Sequence, residues 1–144
     1  MLTYPVVLTQ DDNGTLLATC PDLPEVTSYG ETAEQAVREA RNAIEEAIAA
    51  RLDAWEPVPE GTDGVIQATL PTLLALKVTL YRILGEQEKT RADLMRLLGW
   101  KRTQVDRLFD PNHATQLDQF DAAFAALGKR IDVAQNDLAN FLAR

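Results

Sequence analysis

Five polar side chains crowd one short stretch of this chain: Lys101, Arg102, Thr103, Gln104 and Arg107. Their types suit the reading of a double helix. A Gln amide can pair two hydrogen bonds with adenine, an Arg guanidinium with guanine, and a Thr hydroxyl can bond a phosphate or touch a thymine methyl. Gln104 and either Arg107 or Arg102 are therefore candidate base readers, Thr103 suits both tasks, and Lys101 is a candidate phosphate contact beside the free backbone donors of a helix start. Asn112 and His113 follow as candidate phosphate contacts in a polar loop, where a lone His also suits capping or packing. The competing reading of the whole set is the solvated face of a small helical bundle.

Other chemistries find less support. The chain has one His and one Cys, His113 and Cys20, separated by most of its length, which specifies neither a tetrahedral metal site nor a Cys-His dyad and excludes an internal disulfide. Cys20 reads as a small buried residue. Asp11, Asp12, Asp22, Glu25 and Glu31 are the one carboxylate group worth testing as a two-metal nuclease centre. Such a centre fixes its acids around ions ~4 Å apart, typically from strand centres and helices. These fall mostly in turns, none on an expected strand, and read as solvated turn acids. No catalytic residue, metal or cofactor is expected.

The charge is unevenly spread. The 144 residues carry 22 acidic against 14 basic side chains, with 46% hydrophobic and 25% charged residues. That length supports one compact domain or two small ones. Residues 1–64 hold 13 acidic and 3 basic residues, a balance of −10, whereas residues 65–144 hold 9 and 11, a balance of +2. Such asymmetry suggests two partners of opposite charge. There is no stretch of ~18 apolar residues, and Met1 is not followed by a basic start and an apolar core. No membrane association and a cytoplasmic location are therefore expected.

The acidic half alternates apolar and polar residues at Leu2, Tyr4, Val6 and Leu8, the period of a half-buried strand, with Pro5 marking an edge strand or a strand start. Asp12-Asn13-Gly14 turns the chain into a second strand at Thr15 to Cys20. Pro21 to Pro24 form a rigid corner before a third strand at Val26 to Tyr29. Thr32 and Gln35 make a capping box for a long helix whose apolar stripe runs from Ala33 through Ile44 to Leu52, with Glu34/Arg38 and Arg41/Glu45 on its wet face. Glu56 to Gly61 give a stiff polar connection, and Ile66, Ala68 and Leu70 alternate as a fourth strand.

This order, with Tyr4-Pro5-Val6-Val7-Leu8, Asp12-Asn13-Gly14, Cys20-Pro21-Asp22-Leu23-Pro24, and Gly30-Glu31-Thr32 before Glu34-Gln35-Ala36, resembles the HicB antitoxin family over residues 1 to about 70. Glu25 stands where that family usually has Gly. The resemblance implies a truncated RNase H-like domain (β-β-β-α-β) that generally does not act as a nuclease.

In the second half, Leu73, Leu76, Leu80, Ile83 and Leu84 form a helical stripe ended by Gly85. Thr90 and Asp93 cap a short helix with Leu94, Leu97 and Leu98 inward, up to Gly99. Trp100 and Lys101 fill a turn, and Arg102 to Phe109 form a third helix with Val105, Leu108 and Phe109 inward. Leu117, Phe120, Phe124 and Leu127 make a fourth, closed by Gly128. Ala92, Gly99 and Val105 have the spacing of a helix-turn-helix: a small residue at the helix approach, a Gly at the turn, a branched residue in the second helix. With Leu108-Phe109-Asp110-Pro111-Asn112-His113 and Ala126-Leu127-Gly128-Lys129-Arg130, residues 72–134 resemble the lambda-repressor-like (XRE/Cro-type) module that HicB antitoxins commonly carry. Residues 131–144 suit a strand and a short amphipathic helix.

The expected chain is thus α+β, with a toxin-binding domain at 1–70 and an all-α DNA-binding domain at 71–144. The resemblance implies an antitoxin that binds a HicA-type mRNA interferase and represses its own operon, as a dimer or tetramer on operator DNA. The rivals are an orphan transcription regulator whose first domain binds a ligand or protein, and an active RNase H-like nuclease.

Overall fold

The computed structural model describes residues 2–138. Its elements run β1 (Thr3–Gln10), β2 (Leu16–Cys20), β3 (Leu23–Gly30), α1 (Ala33–Asp53), β4 (Ile66–Thr69), α2 (Thr72–Glu86), α3 (Arg91–Leu98), α4 (Arg102–Arg107) and α5 (Leu117–Ala126). This is an α+β chain in the expected element order. It divides into two units: residues 2–51, 59–70 and 136–138 in the first, Leu52–Val58 and Pro71–Gln135 in the second.

The first unit is a four-stranded antiparallel sheet ordered β3-β2-β1-β4. Gly14, at φ +84°, supplies the left-handed residue of the β1–β2 turn, where the Asp11 N–H donates to the Thr15 carbonyl at 2.8 Å. The Pro21–Pro24 corner is tighter than expected, because Leu23 already pairs with Cys20 and only Pro21 and Asp22 turn. A register shift follows, with Thr19 opposite Thr27, so β3 bulges over Pro24, Glu25 and Val26. A bulge suits Pro24, which has no N–H to give a ladder.

Pro5 does not lie on an edge strand, since β1 is interior to the sheet. It is tolerated because β1 pairs with β4 only over Thr3–Val6 and with β2 only over Val7–Gln10. The Leu2 carbonyl accepts from the Leu70 N–H, so the even residues of β1 aim their backbone groups at β4 and Pro5 faces the other side, ahead of the β2 ladder.

α1 starts as its sequence dictates, with one displacement. The Gln35 N–H donates to Thr32 Oγ1 at 3.1 Å, but Gln35 Oε1 takes the Glu31 N–H at 2.9 Å, one residue before the cap. Ala36, Val37, Ala40, Ile44, Ala47 and Ile48 are buried, as are Tyr4, Val6, Ala18, Cys20 and Val26 of the sheet. Arg41 and Glu45 are half-buried rather than on a wet face, and burial pushes the Glu45 carboxyl up.

The second unit packs Leu80, Leu84, Leu94, Val105, Leu108, Phe109, Phe120, Ala123, Phe124 and Leu127 into one core. Each such Leu or Phe contributes roughly 1.5–3 kcal/mol over the exposed state. α2 does not stop at Gly85 but runs to Glu86. The left-handed residue is Glu88, at φ +54°, and the Lys89 N–H closes the helix on the Leu84 carbonyl.

Three expected inward residues point elsewhere. In α3 the buried stripe is centred on Leu94, with Arg91, Met95 and Leu98 half-buried beside it. Leu97 and Ala92 lie about 110° to either side of that stripe at 100° per residue, and Leu97 is 52% exposed. Leu117, the first residue of α5, is 67% exposed because a helical side chain leans toward the N-terminus and here projects past the helix start. Residues 131–138 form no strand, and the remainder of the expected terminal helix lies outside the described residues.

Leu52–Val58 is more than a spacer. Trp55, at φ +57°, lies 5.1 Å from both Tyr81 and Phe109 between ring centroids, and the Arg91 guanidinium lies 4.3 Å over its ring. The Tyr81 hydroxyl donates to the Glu56 carbonyl at 2.7 Å. The segment thereby joins α2, the start of α3 and the residues after α4.

Candidate nucleic-acid interface

α3, a turn at residues 99–101 and α4 position the candidate readers. α3 opens on a reciprocal cap: the Asp93 N–H donates to Thr90 Oγ1 at 3.2 Å, and the Thr90 N–H donates to Asp93 Oδ2 at 2.8 Å. The Thr90 backbone and hydroxyl, then Arg96, hold the Asp93 carboxyl below its usual range. Gly99, at φ +68°, ends the helix with its N–H on the Met95 carbonyl, a left-handed position that Gly occupies without a Cβ penalty. The chain then enters α4, where Val105 is fully buried.

Lys101, Arg102, Thr103, Gln104 and Arg107 are all exposed. They differ in what already holds them. Gln104 Oε1 accepts the Lys101 N–H at 3.0 Å, so Gln104 is first of all the cap of α4, with its Nε2 donors and the second Oε1 lone pair left for a ligand. Arg102 lies 3.7 Å from Asp106, whose other oxygen takes Arg91 at 3.0 Å. The side chains of Lys101, Thr103 and Arg107 make no polar contact among the described residues. Asn112 is exposed and His113 half-buried in the turn after α4, pinned by the Asn112 N–H on Asp110 Oδ1 and the His113 N–H on the Asp110 carbonyl.

Sequence reasoning missed Lys77. It is completely buried, and its Nζ donates at 2.8 Å to both the Arg107 carbonyl and Thr115 Oγ1, 5.7 Å from the Phe120 ring centre. The Thr115 hydroxyl also donates to the Arg107 carbonyl at 2.9 Å. Burial lowers the Lys77 ammonium to about 8, against a smaller upward pull from Asp110. One interior cation thus ties the end of α4 to the turn bearing Asn112 and His113. Its signal was present: Lys77 stands between Leu73 and Leu80, at i+4 and i−3, inside the apolar stripe.

The sheet of the first unit offers a different surface. Before Lys77 the chain has three basic residues, Arg38, Arg41 and Arg51, all on α1, so the strands and their turns carry acids alone. One of these, Glu25, lies on β3 and not in a turn. Its carboxylate receives Arg51 through two bonds of 2.7 and 2.9 Å, which hold it below its usual range. Asp22 Oδ2 accepts both the N–H and the hydroxyl of Thr62 at 2.9 Å. Among the described residues no three His, Cys, Asp or Glu side chains converge to hold a metal ion. No described helix is long and apolar enough to cross a membrane.

Residues 3–79 match the family described as HicB-like antitoxin of bacterial toxin-antitoxin system. The chain is 34% identical over 125 residues to "Antitoxin HicB" of Pseudomonas fluorescens (strain Pf0-1), covering 84% of this chain and 86% of that protein. It is 31% identical over 137 residues to "Antitoxin HicB" of Escherichia coli (strain K12), covering 92% and 98%. The crystal structure of the Burkholderia pseudomallei antitoxin HicB superposes with a TM-score of 0.45 at 18% identity, over 64% of this chain and 91% of that one.

Proposed function

The chain belongs to the HicB-like family of antitoxins of bacterial toxin-antitoxin systems, a regulatory and not an enzymatic family, and from that premise we propose that it neutralises a HicA-type mRNA interferase by direct binding and represses its own operon. The toxin is bound by residues of the first unit. What supports this is the charge around the sheet: no strand bears a cation, the one strand acid, Glu25, is paired with Arg51, and the adjoining Asp11, Asp12, Asp22 and Glu31 leave an acidic balance that attracts a basic partner and repels nucleic acid. Neutralisation is occlusion: a toxin held on this unit cannot reach mRNA.

DNA reading belongs to the second unit, and the observation that carries it is the set of exposed polar side chains on and just before α4: Thr103 and Arg107 turned away from the buried Val105 and Leu108, Gln104 at the side of that face, and Lys101 at the helix start. A homo-oligomer sets two such helices on a palindromic operator, in the cytoplasm. Asn112 and His113 add phosphate contacts beside the helix.

Copurification of the full chain with the products of the genes adjacent to its own, and binding isotherms on its promoter against a scrambled duplex, test both halves. Formation of the complex together with selective promoter binding is the expected result. Promoter binding without a protein partner would leave an orphan regulator. Failure on both counts would remove the proposal.

A further inference from the structure

β1 carries two half-ladders, and that leaves part of it open. β4 begins at Ile66, opposite Val6, so beyond Val6 no described strand pairs with β1 on that side. The even residues of β1 aim their backbone at β4, as the Leu70–Leu2 bond requires. The N–H and C=O groups of Leu8 and Gln10 therefore face the vacant side, while those of Val7 and Thr9 serve the β2 ladder. The parity holds at the turn, where the odd Asp11 gives its N–H to Thr15 across the β2 side.

A groove of about 330 Å³ adjoins this open edge, lined by Pro5, Val7, Leu8, Asp63, Val65 and Ile66 among others. Val65 is wholly exposed, at 103%, and Val7 is 42% exposed, two β-branched side chains in water beside unpaired backbone. The segment that presents Val65 is held in place. Thr62 is bonded twice to Asp22, and at Gly61 the backbones approach so closely that a Cβ would meet the Thr3 carbonyl oxygen at 1.7 Å. Acids flank the edge at both ends, Asp63 at one and Asp11 and Asp12 at the other, and no strand of the sheet bears a cation.

We propose that the open side of β1 at Leu8 and Gln10, rimmed by Val7 and Val65, is a strand-addition site that receives an edge strand of the basic toxin. This rests on the antitoxin reading and names its docking surface. Backbone bonds to Leu8 and Gln10 supply the pairing, Val7 and Val65 bury against the incoming strand, and the flanking acids select a basic one over a second copy of this acidic unit.

The test uses the full chain and, as probe, an inactive form of a HicA-type protein taken from the genes adjacent to its own. Gln10→Pro removes one N–H on the open side and leaves the β2 ladder intact. Val65→Lys puts a cation on the rim, and Tyr29→Lys puts the same charge on β3, where Tyr29 is 53% exposed. The expected result is a loss of at least tenfold in affinity for Gln10→Pro and Val65→Lys and less than threefold for Tyr29→Lys, with unchanged melting temperatures. Hydrogen exchange at the Leu8 and Gln10 amides should slow only when the probe is bound. Tight probe binding with unaltered affinity in both variants and unprotected amides would overturn the surface while leaving the antitoxin reading intact. Absence of probe binding by the unmodified chain would overturn that reading and this one with it, and protection that rises with chain concentration alone would assign the edge to a second copy.

Discussion

The ammonium of Lys77 lies 2.8 Å from the carbonyl of Arg107, so an interior charge on α2 fixes the end of the helix that carries the exposed Arg107 side chain. Burial lowers this lysine to about 8 from 10.5, so between those values the unfolded chain holds a proton that the folded chain has released. Its contribution to stability is full above 10.5 and falls as pH drops through 8. Melting temperatures of the wild type measured against Lys77→Met from pH 7 to 10.5 should therefore rise in the wild type relative to the variant. Parallel curves would show that Lys77 does not titrate in this window.

Lys77→Met itself should be mild. The Thr115 hydroxyl still donates to the Arg107 carbonyl, and Met replaces most of the buried volume, so a loss of about 1 kcal/mol is expected. Lys77→Ala leaves a cavity and should cost about 2–4 kcal/mol by denaturant unfolding.

Val105→Asp should unfold the second unit, because it places an unpaired carboxylate in a fully buried position and costs ~3 kcal/mol or more. Leu97→Asp should be within about 0.5 kcal/mol of the wild type, as Leu97 is half in water. Thermal melts of the two variants compare these faces directly.

Trp55→Ala should lower the stability of the second unit by about 2 kcal/mol, since the ring contacts Tyr81, Phe109 and the Arg91 guanidinium but keeps 38% of its surface exposed. Unfolding followed by tryptophan-independent far-ultraviolet dichroism measures it.

On DNA, Arg107→Ala should cost ~1–3 kcal/mol on the operator with little loss on a scrambled duplex, and Lys101→Ala should weaken both alike while flattening the salt dependence. Gln104 needs a different substitution. Gln104→Glu keeps an oxygen for the Lys101 N–H, so the helix cap survives while the amide donors are lost. Unchanged melting with reduced operator affinity is expected; equal losses on both duplexes would remove these residues from base readout.

Much of this was legible because it is local. The turn at Gly14, the Thr90–Asp93 cap, the left-handed Gly99 and the α1 stripe each follow from a few neighbouring residues. What escaped depends on partners distant in sequence. Arg51 meets Glu25 across the first unit, Trp55 meets Phe109, and Lys77 meets Thr115, and no periodicity announces such pairs. The orientation of Leu97 escaped for another reason: a helix as short as α3 has too few turns to fix its stripe, and Leu94, Leu97 and Leu98 alone do not say where its centre lies. Pro5 was read by a rule about whole strands, whereas β1 is interior overall and open in halves.

The chain passes into the second unit at Leu52, leaves it at Pro59 and returns at Pro71. The second unit, which we propose reads DNA, is accordingly not a contiguous cassette. A recombination event or an engineer joining chains at residue 71 would carry over α2 to α5 but leave Trp55 behind, so Tyr81, Phe109 and Arg91 would arrive without the ring they enclose. Exchange of the two units among relatives is thereby constrained to donors that bring a compatible aromatic eleven residues before the fourth strand, and the proposed operator reading is inherited together with the residues that end α1.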